Sequence, residues 1–300
     1  MIVGRCRSDR VVRSVGSLST VGLGGRFGRL LMFAAALYVA CHQAGCSVNR
    51  SIENPDFPVT MAEAKQDLSR MRDSQRALER PVVVLAGYRS WPQLALGVRW
   101  RLIPVTSGDG DQFMAISYMF KSDIEQIAGY VVDQIEERWP SGIPSETVEV
   151  DVVAISMGGL VARTASLELG DLPGGTETRS KRLNIGTLYT LGSPHLGAKL
   201  AERIAPDKAA NSMKPGSPFL QHLNSRASQH DYEIVPYAHL NDTWVGATNT
   251  APPGQDPIWT GGTHLMSHFS ITTDDRIMAD LSRRLRGEEP IAAPSPAPED

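Results

Sequence analysis

From about residue 80 onward the chain alternates short continuous apolar runs with longer stretches in which apolar residues recur every three or four positions. The continuous runs are 81–87 (PVVVLAG), 113–120 (FMAISYMF), 150–155 (VDVVAI), 183–191 (LNIGTLYTL), 234–239 (IVPYAH) and 258–263 (IWTGGT). Their length and β-branched content predict strands buried on both faces. Between them, Ile124, Ile127, Ala128, Val131, Val132 and Ile135 trace one helical face, 157–169 reads as a second helix, and Ile277, Met278, Leu281 and Leu285 mark a last helix starting near Thr273. An earlier helix is predicted where Met61, Ala64, Leu68, Met71 and Leu78 keep a seam behind a capping box of Thr60 and Glu63; Ser122 and Glu125 form a similar box before Ile124. Strands alternating with helices imply a mostly parallel sheet with helices on both faces, and ligands beyond the carboxyl ends of the strands.

Four regions follow from this pattern. Residues 80–287 carry the α/β domain, and 47–79 read as a tether and packing helix. The tail 288–300 (EEPIAAPSPAPED) lacks the apolar content to order itself and is expected to be disordered. Residues 1–46 have the layout of a signal peptide: Arg5, Arg7, Arg10, Arg13, Arg26 and Arg29 precede an uncharged apolar run from 30 to 41, too short to span a bilayer. That run leads to Gln43-Ala44-Gly45-Cys46-Ser47, which resembles a bacterial lipobox and implies lipidation of Cys46. Gln43 replaces the usual leucine, so ordinary cleavage nearby and an uncleaved anchor stay open.

Composition narrows the field. The 300 residues are 41% hydrophobic, enough for a sizeable core. A formal charge of −3, with no basic patch laced by aromatics, argues against nucleic acid as a partner. Cys6, Cys41 and Cys46 all precede the folded domain, which therefore has no thiol nucleophile, disulfide or Cys-based metal site. No HExxH zinc pattern, dinucleotide GxGxxG or internal repeat occurs.

The chemistry gathers at strand ends. Val150 to Leu160 is a strand that runs into Ser156 and then into Gly158 and Gly159, an AxSxG form of the nucleophile elbow, in which a sharp turn exposes the serine hydroxyl and demands small neighbours. The turn Gly87-Tyr88-Arg89-Ser90 is placed to supply one oxyanion amide, from Tyr88, with Met157 supplying the other. Asp242, at the exit of the strand 234–239, is the candidate acid, with Asp231 and Asp256 as competitors. His264 and His268 both follow the last strand, and one of them is the candidate base. His195, in Gly192-Ser193-Pro194-His195, suits a positional or pocket-lining role. Met213, Phe219 and Leu220, in a proline-broken segment, are candidates for an acyl pocket or for plain core contacts.

Taken together, PVVVLAGY, VDVVAISMGGLVAR, TLGSPHLGA and SHFSITTDDRIMADL resemble the α/β-hydrolase superfamily, in its lipase and PGAP1-like esterase group, over 81–285. The resemblance implies an α/β-hydrolase fold and a serine, acid and histidine in that chain order, while the sequence itself offers no large lid insertion. It favours His268 over His264 as base, because the family's histidine often stands about six residues before the aspartate that opens the last helix, here Asp274. It implies ester hydrolysis through an acyl-enzyme on Ser156, needing no cofactor or metal, on an acyl-ester or lipid substrate. Acyl transfer by the same triad, or a lipid-binding scaffold that has lost catalysis, are the alternatives. The expected setting is the bacterial cell envelope, on a membrane surface through a lipid anchor or secreted, without an obligate protein partner.

Overall fold

The computed structural model describes residues 53–177, 179–227, 229–262 and 266–298. All belong to one compact unit, Ser51–Asp300. Residues 1–46, expected to be a signal peptide ending at Cys46, and His264 lie outside the described residues.

The apolar runs form six strands: β1 (Val82–Leu85), β2 (Phe113–Ile116), β3 (Val150–Ile155), β4 (Ile185–Leu191), β5 (Glu233–His239) and β6 (Ile258–Thr260). They pair, all parallel, in the order β2-β1-β3-β4-β5-β6. Every residue of β1 and β3 is buried, so helices cover both faces. The helices are α1 (Met61–Asp73), α2 (Pro92–Leu102), α3 (Ile124–Arg138), α4 (Gly158–Ser166), α5 (Lys199–Arg203), α6 (Lys208–Ser212), α7 (Pro218–Ser225), α8 (Ser267–Ser270) and α9 (Asp275–Leu285). This is the α/β-hydrolase architecture. The segment 199–225, between β4 and β5, carries three short helices, α5 to α7.

Local signals account for most boundaries. The Thr60 and Glu63 capping box closes as expected, with each side chain reaching the other's amide. The expected box at Ser122 does not form. Asp123 caps α3 instead, accepting from the Glu125 amide, because the Glu125 carboxylate is engaged by Lys208 and the Gly174 amide. Helix α2 was not foreseen, although its signals are present: Pro92 occupies the first turn, where its missing N–H costs nothing, and Ala95, Val98 and Leu102 are buried on one side.

The expectation of a disordered tail is corrected. The amides of Ile291 and Ala292 donate to Asp280 Oδ1 at 2.6 and 3.0 Å, and Arg284 Nη2 donates to the Ala292 carbonyl at 2.7 Å. The Ala293 and Ser295 amides donate to the carbonyls of Asp56 and Pro257. An extended proline-rich strap needs little apolar surface of its own when buried groups of the domain satisfy its backbone. Its prolines also lower the entropy lost on ordering.

Candidate active site

Strand β3 lies inside the sheet, so the turn after it opens at the middle of the carboxyl edge. Ser156 occupies that turn with φ of 52°, a left-handed conformation that disfavours a side chain. Close packing keeps it there. A Cβ on Gly158 would stand 2.9 Å from the Ala86 carbonyl oxygen and 3.1 Å from that of Leu85, so α4 can start this close to β1 only from a glycine. A Cβ on Gly87 would lie 3.2 Å from Ser156 Cβ. The loop after β1 therefore runs directly beside the serine.

His268 sits on α8, not in an open loop, and its ring stands between the serine and an aspartate. Nδ1 is 2.7 Å from Asp242 Oδ2, and Nε2 is 2.9 Å from Ser156 Oγ. A carboxylate can only accept, so Nδ1 carries the proton and Nε2 is left as acceptor for the serine hydroxyl. Asp242 is oriented in turn: its Oδ1 accepts from the amides of Trp244 and Val245 at 3.0 and 3.1 Å. Burial alone would raise its carboxyl, but the hydrogen bond from His268, with those two amides, holds it below the usual carboxylate range. Neither competitor takes this place, since Asp231 faces Arg182 and both Asp231 and Asp256 are exposed.

Supporting contacts fix the base from two more sides. The Trp244 indole stacks on the His268 ring at 5.4 Å between centroids and 23° between planes. His239, at the end of β5, donates from Nδ1 to the Ser267 carbonyl at 2.9 Å and lies 3.2 Å from Asp274 through Nε2. That bond ties the end of β5 to the turn that carries His268. The contribution of Trp244 was hidden in the sequence, where the residue read only as part of the acid's exit loop.

Among the described residues, the amides of Tyr88 and Met157 have no acceptor, the state expected of donors kept for a ligand. His195 is fully buried away from Ser156. Its Nδ1 lies 3.2 Å from Arg163 Nη1 and its Nε2 lies 3.3 Å from Thr190 Oγ1. A guanidinium can only donate, so Nδ1 is the acceptor, and burial followed by the Arg163 charge lowers this histidine well below its ordinary value. It is a neutral packing group.

Ser156 and His268 open into a cavity of about 630 Å³ whose wall is largely apolar, including Leu94, Ala198, Leu200, Ile204, Met213 and Phe269. Of the three acyl-pocket candidates, only Met213 lines it; Phe219 and Leu220 are buried on the inner face of α7. The rim includes Trp91 and Ile204, 71% and 64% exposed.

No family model and no curated protein matches the chain. Solved structures similar to it include phospholipase PlaB from Legionella pneumophila, with a TM-score of 0.46, 12% identity, and coverage of 70% of this chain and 59% of that one. In the complex of PlaB with thio-NAD the TM-score is 0.42 at 15% identity, over 57% of this chain and 43% of that one. The mature form of Bacillus licheniformis lipase BlEst2 gives 0.45 at 14% identity, over 74% and 95%. The chain thus spans less than two thirds of PlaB. Likenesses this distant carry no argument about activity.

Proposed function

We propose that the chain hydrolyses carboxylic esters through an acyl-enzyme on Ser156. The observation that carries this reading is the hydrogen-bonded row Ser156, His268, Asp242, whose serine and histidine line a largely apolar cavity. His268 Nε2 takes the hydroxyl proton as Ser156 Oγ attacks the ester carbonyl. The tetrahedral oxyanion is met by the amides of Tyr88 and Met157, and the proton passes to the leaving alkoxide as the carbon–oxygen bond breaks. Water, deprotonated by the same nitrogen, then attacks the acyl carbon; the bond to Ser156 Oγ breaks, the serine takes the proton back from His268 and the acid leaves. Asp242 keeps His268 in the productive tautomer and stabilises the imidazolium that forms.

The cavity wall supports an acyl group with an apolar chain, and lipid esters are the substrate class of this proposal. Residence at the cell envelope, with Cys46 as lipid anchor, rests on the sequence of 1–47 alone. The test is labelling of the purified chain by a fluorophosphonate, with the modified residue located by peptide mass spectrometry. Stoichiometric modification of Ser156 that is lost in His268→Ala supports the reading, and a folded chain that does not react refutes it. Product analysis with an added alcohol then separates hydrolysis from acyl transfer.

A further inference from the structure

The Tyr88 amide is useful as an oxyanion donor only if the loop 87–90 holds its shape beside Ser156. The loop has two weak internal ties: the Gly87 amide donates to Ser90 Oγ at 3.1 Å, and the Ser90 amide to the Gly87 carbonyl at 3.4 Å. It also contains Arg89 at φ of 48°, a conformation that the backbone of a non-glycine residue leaves when nothing restrains it.

The restraint comes from the segment between β4 and β5. Tyr88 Oη and Arg89 Nη2 each donate to the same oxygen, Asp207 Oδ2, at 2.7 Å. The other oxygen of that carboxylate accepts from the Ala210 amide at 2.9 Å and caps α6. Helix α6 is itself fixed. The Ala209 amide donates to the Ser122 carbonyl at 2.8 Å, and Lys208 Nζ reaches Asp123 Oδ2 and Glu125 Oε2 at 2.9 and 3.0 Å. One carboxylate standing on the start of α3 through α6 thus holds the two consecutive side chains that follow Gly87.

We propose that Asp207 is a positioning residue for the oxyanion donor: by holding Tyr88 and Arg89 it keeps the Tyr88 amide facing Ser156. The segment between β4 and β5, which also lines the cavity, then decides whether that donor is in place. This rests on the ester-hydrolase reading above. The Arg89 half of the tie is more than half exposed and weak by itself. The part-buried Tyr88 hydroxyl is the stronger half, and burial followed by the Asp207 bond pushes it up to about 12, so it remains a donor.

The test compares the full chain with Asp207→Ala, Asp207→Asn and Tyr88→Phe. Readouts are kcat and KM for p-nitrophenyl butyrate, the rate of fluorophosphonate labelling, and thermal unfolding as a control. Loss of one oxyanion donor lowers turnover by about 10²–10³, and a donor misplaced but present should lose less. Asp207→Ala is expected to lower kcat about 10- to 100-fold with KM within about threefold, and to slow labelling by a similar factor, since phosphonylation builds charge on the same oxygen. Tyr88→Phe, which leaves the α6 cap untouched, should lower both several-fold, and Asp207→Asn should fall between. If Asp207→Ala does not fold, Tyr88→Phe decides. Folded variants that keep kcat and labelling within twofold overturn the proposal, as does a loss carried by KM alone, which would place Asp207 in substrate retention. An unlabelled wild-type chain instead overturns the ester-hydrolase reading itself.

Discussion

Asp242→Asn tests the hydrogen-bond logic of the site most sharply, because the two oxygens of this carboxylate have different jobs. Oδ1 accepts from two backbone amides, while Oδ2 accepts from His268 Nδ1. An asparagine keeps its amide oxygen on the Trp244 and Val245 N–H groups, since the flipped orientation would set an NH₂ against two donors. The NH₂ must then face His268 Nδ1 and make it an acceptor. The ring proton moves to Nε2, which can no longer receive the Ser156 proton. The expected loss is about 10⁴ in kcat, equivalent to about 5.4 kcal/mol at 1.36 kcal/mol per tenfold. Steady-state hydrolysis of a p-nitrophenyl ester, with circular dichroism to confirm folding, measures it. A fall of less than tenfold in a folded variant would refute the assignment of Asp242 and the tautomer argument with it.

Other consequences concern the scaffold. Gly158→Ala drives a methyl against the backbone of β1, 2.9 Å from the Ala86 oxygen, and should destabilise the domain by about 1–3 kcal/mol in urea titration; unchanged stability would mean the elbow can shift outward. Asp274 is held well below its ordinary value despite burial, by hydrogen bonds from His239 and Arg276 and the Arg276 charge. Its folded value lies below its unfolded one, so its contribution is fully present above about pH 4 and is lost as pH falls further. Asp274→Asn should therefore lower stability at pH 7 and flatten its dependence on pH below 4, as read by chemical unfolding at successive pH values. Removing residues 288–300 uncovers the buried carboxylate of Asp280 and should lower stability by about 2 kcal/mol; an unchanged melting temperature would show the strap to be dispensable.

Much of the fold was legible in the sequence because its signals are local. Six apolar runs became six parallel strands, although three of them ended sooner than the runs: the run at 113–120 pairs only over Phe113–Ile116. Helix α4 also stops at Ser166, short of the expected 169. The small residues around Ser156 marked the turn, since a backbone at positive φ packed against a neighbouring strand excludes larger side chains there. The cap of α3 was misplaced by one residue for a tertiary reason, namely that the Glu125 carboxylate is drawn to Lys208 and Gly174.

The sequence by itself therefore determined the alternation of strand and helix, the turn that lifts Ser156, and a chain order in which an aspartate and a histidine follow later strand ends. Each of these depends on neighbours within a few residues. Tertiary structure decided among the candidates the sequence offered, bringing Asp242, 26 residues before His268, onto that histidine rather than Asp231 or Asp256, and it alone laid the Trp244 ring over it. It alone tied Asp207 to Tyr88 across 119 positions and strapped the proline-rich tail onto Asp280. Hydrogen bonds and ring contacts between distant elements leave no periodicity and demand no fixed spacing. They exist only once the buried strands have brought their ends to a common edge.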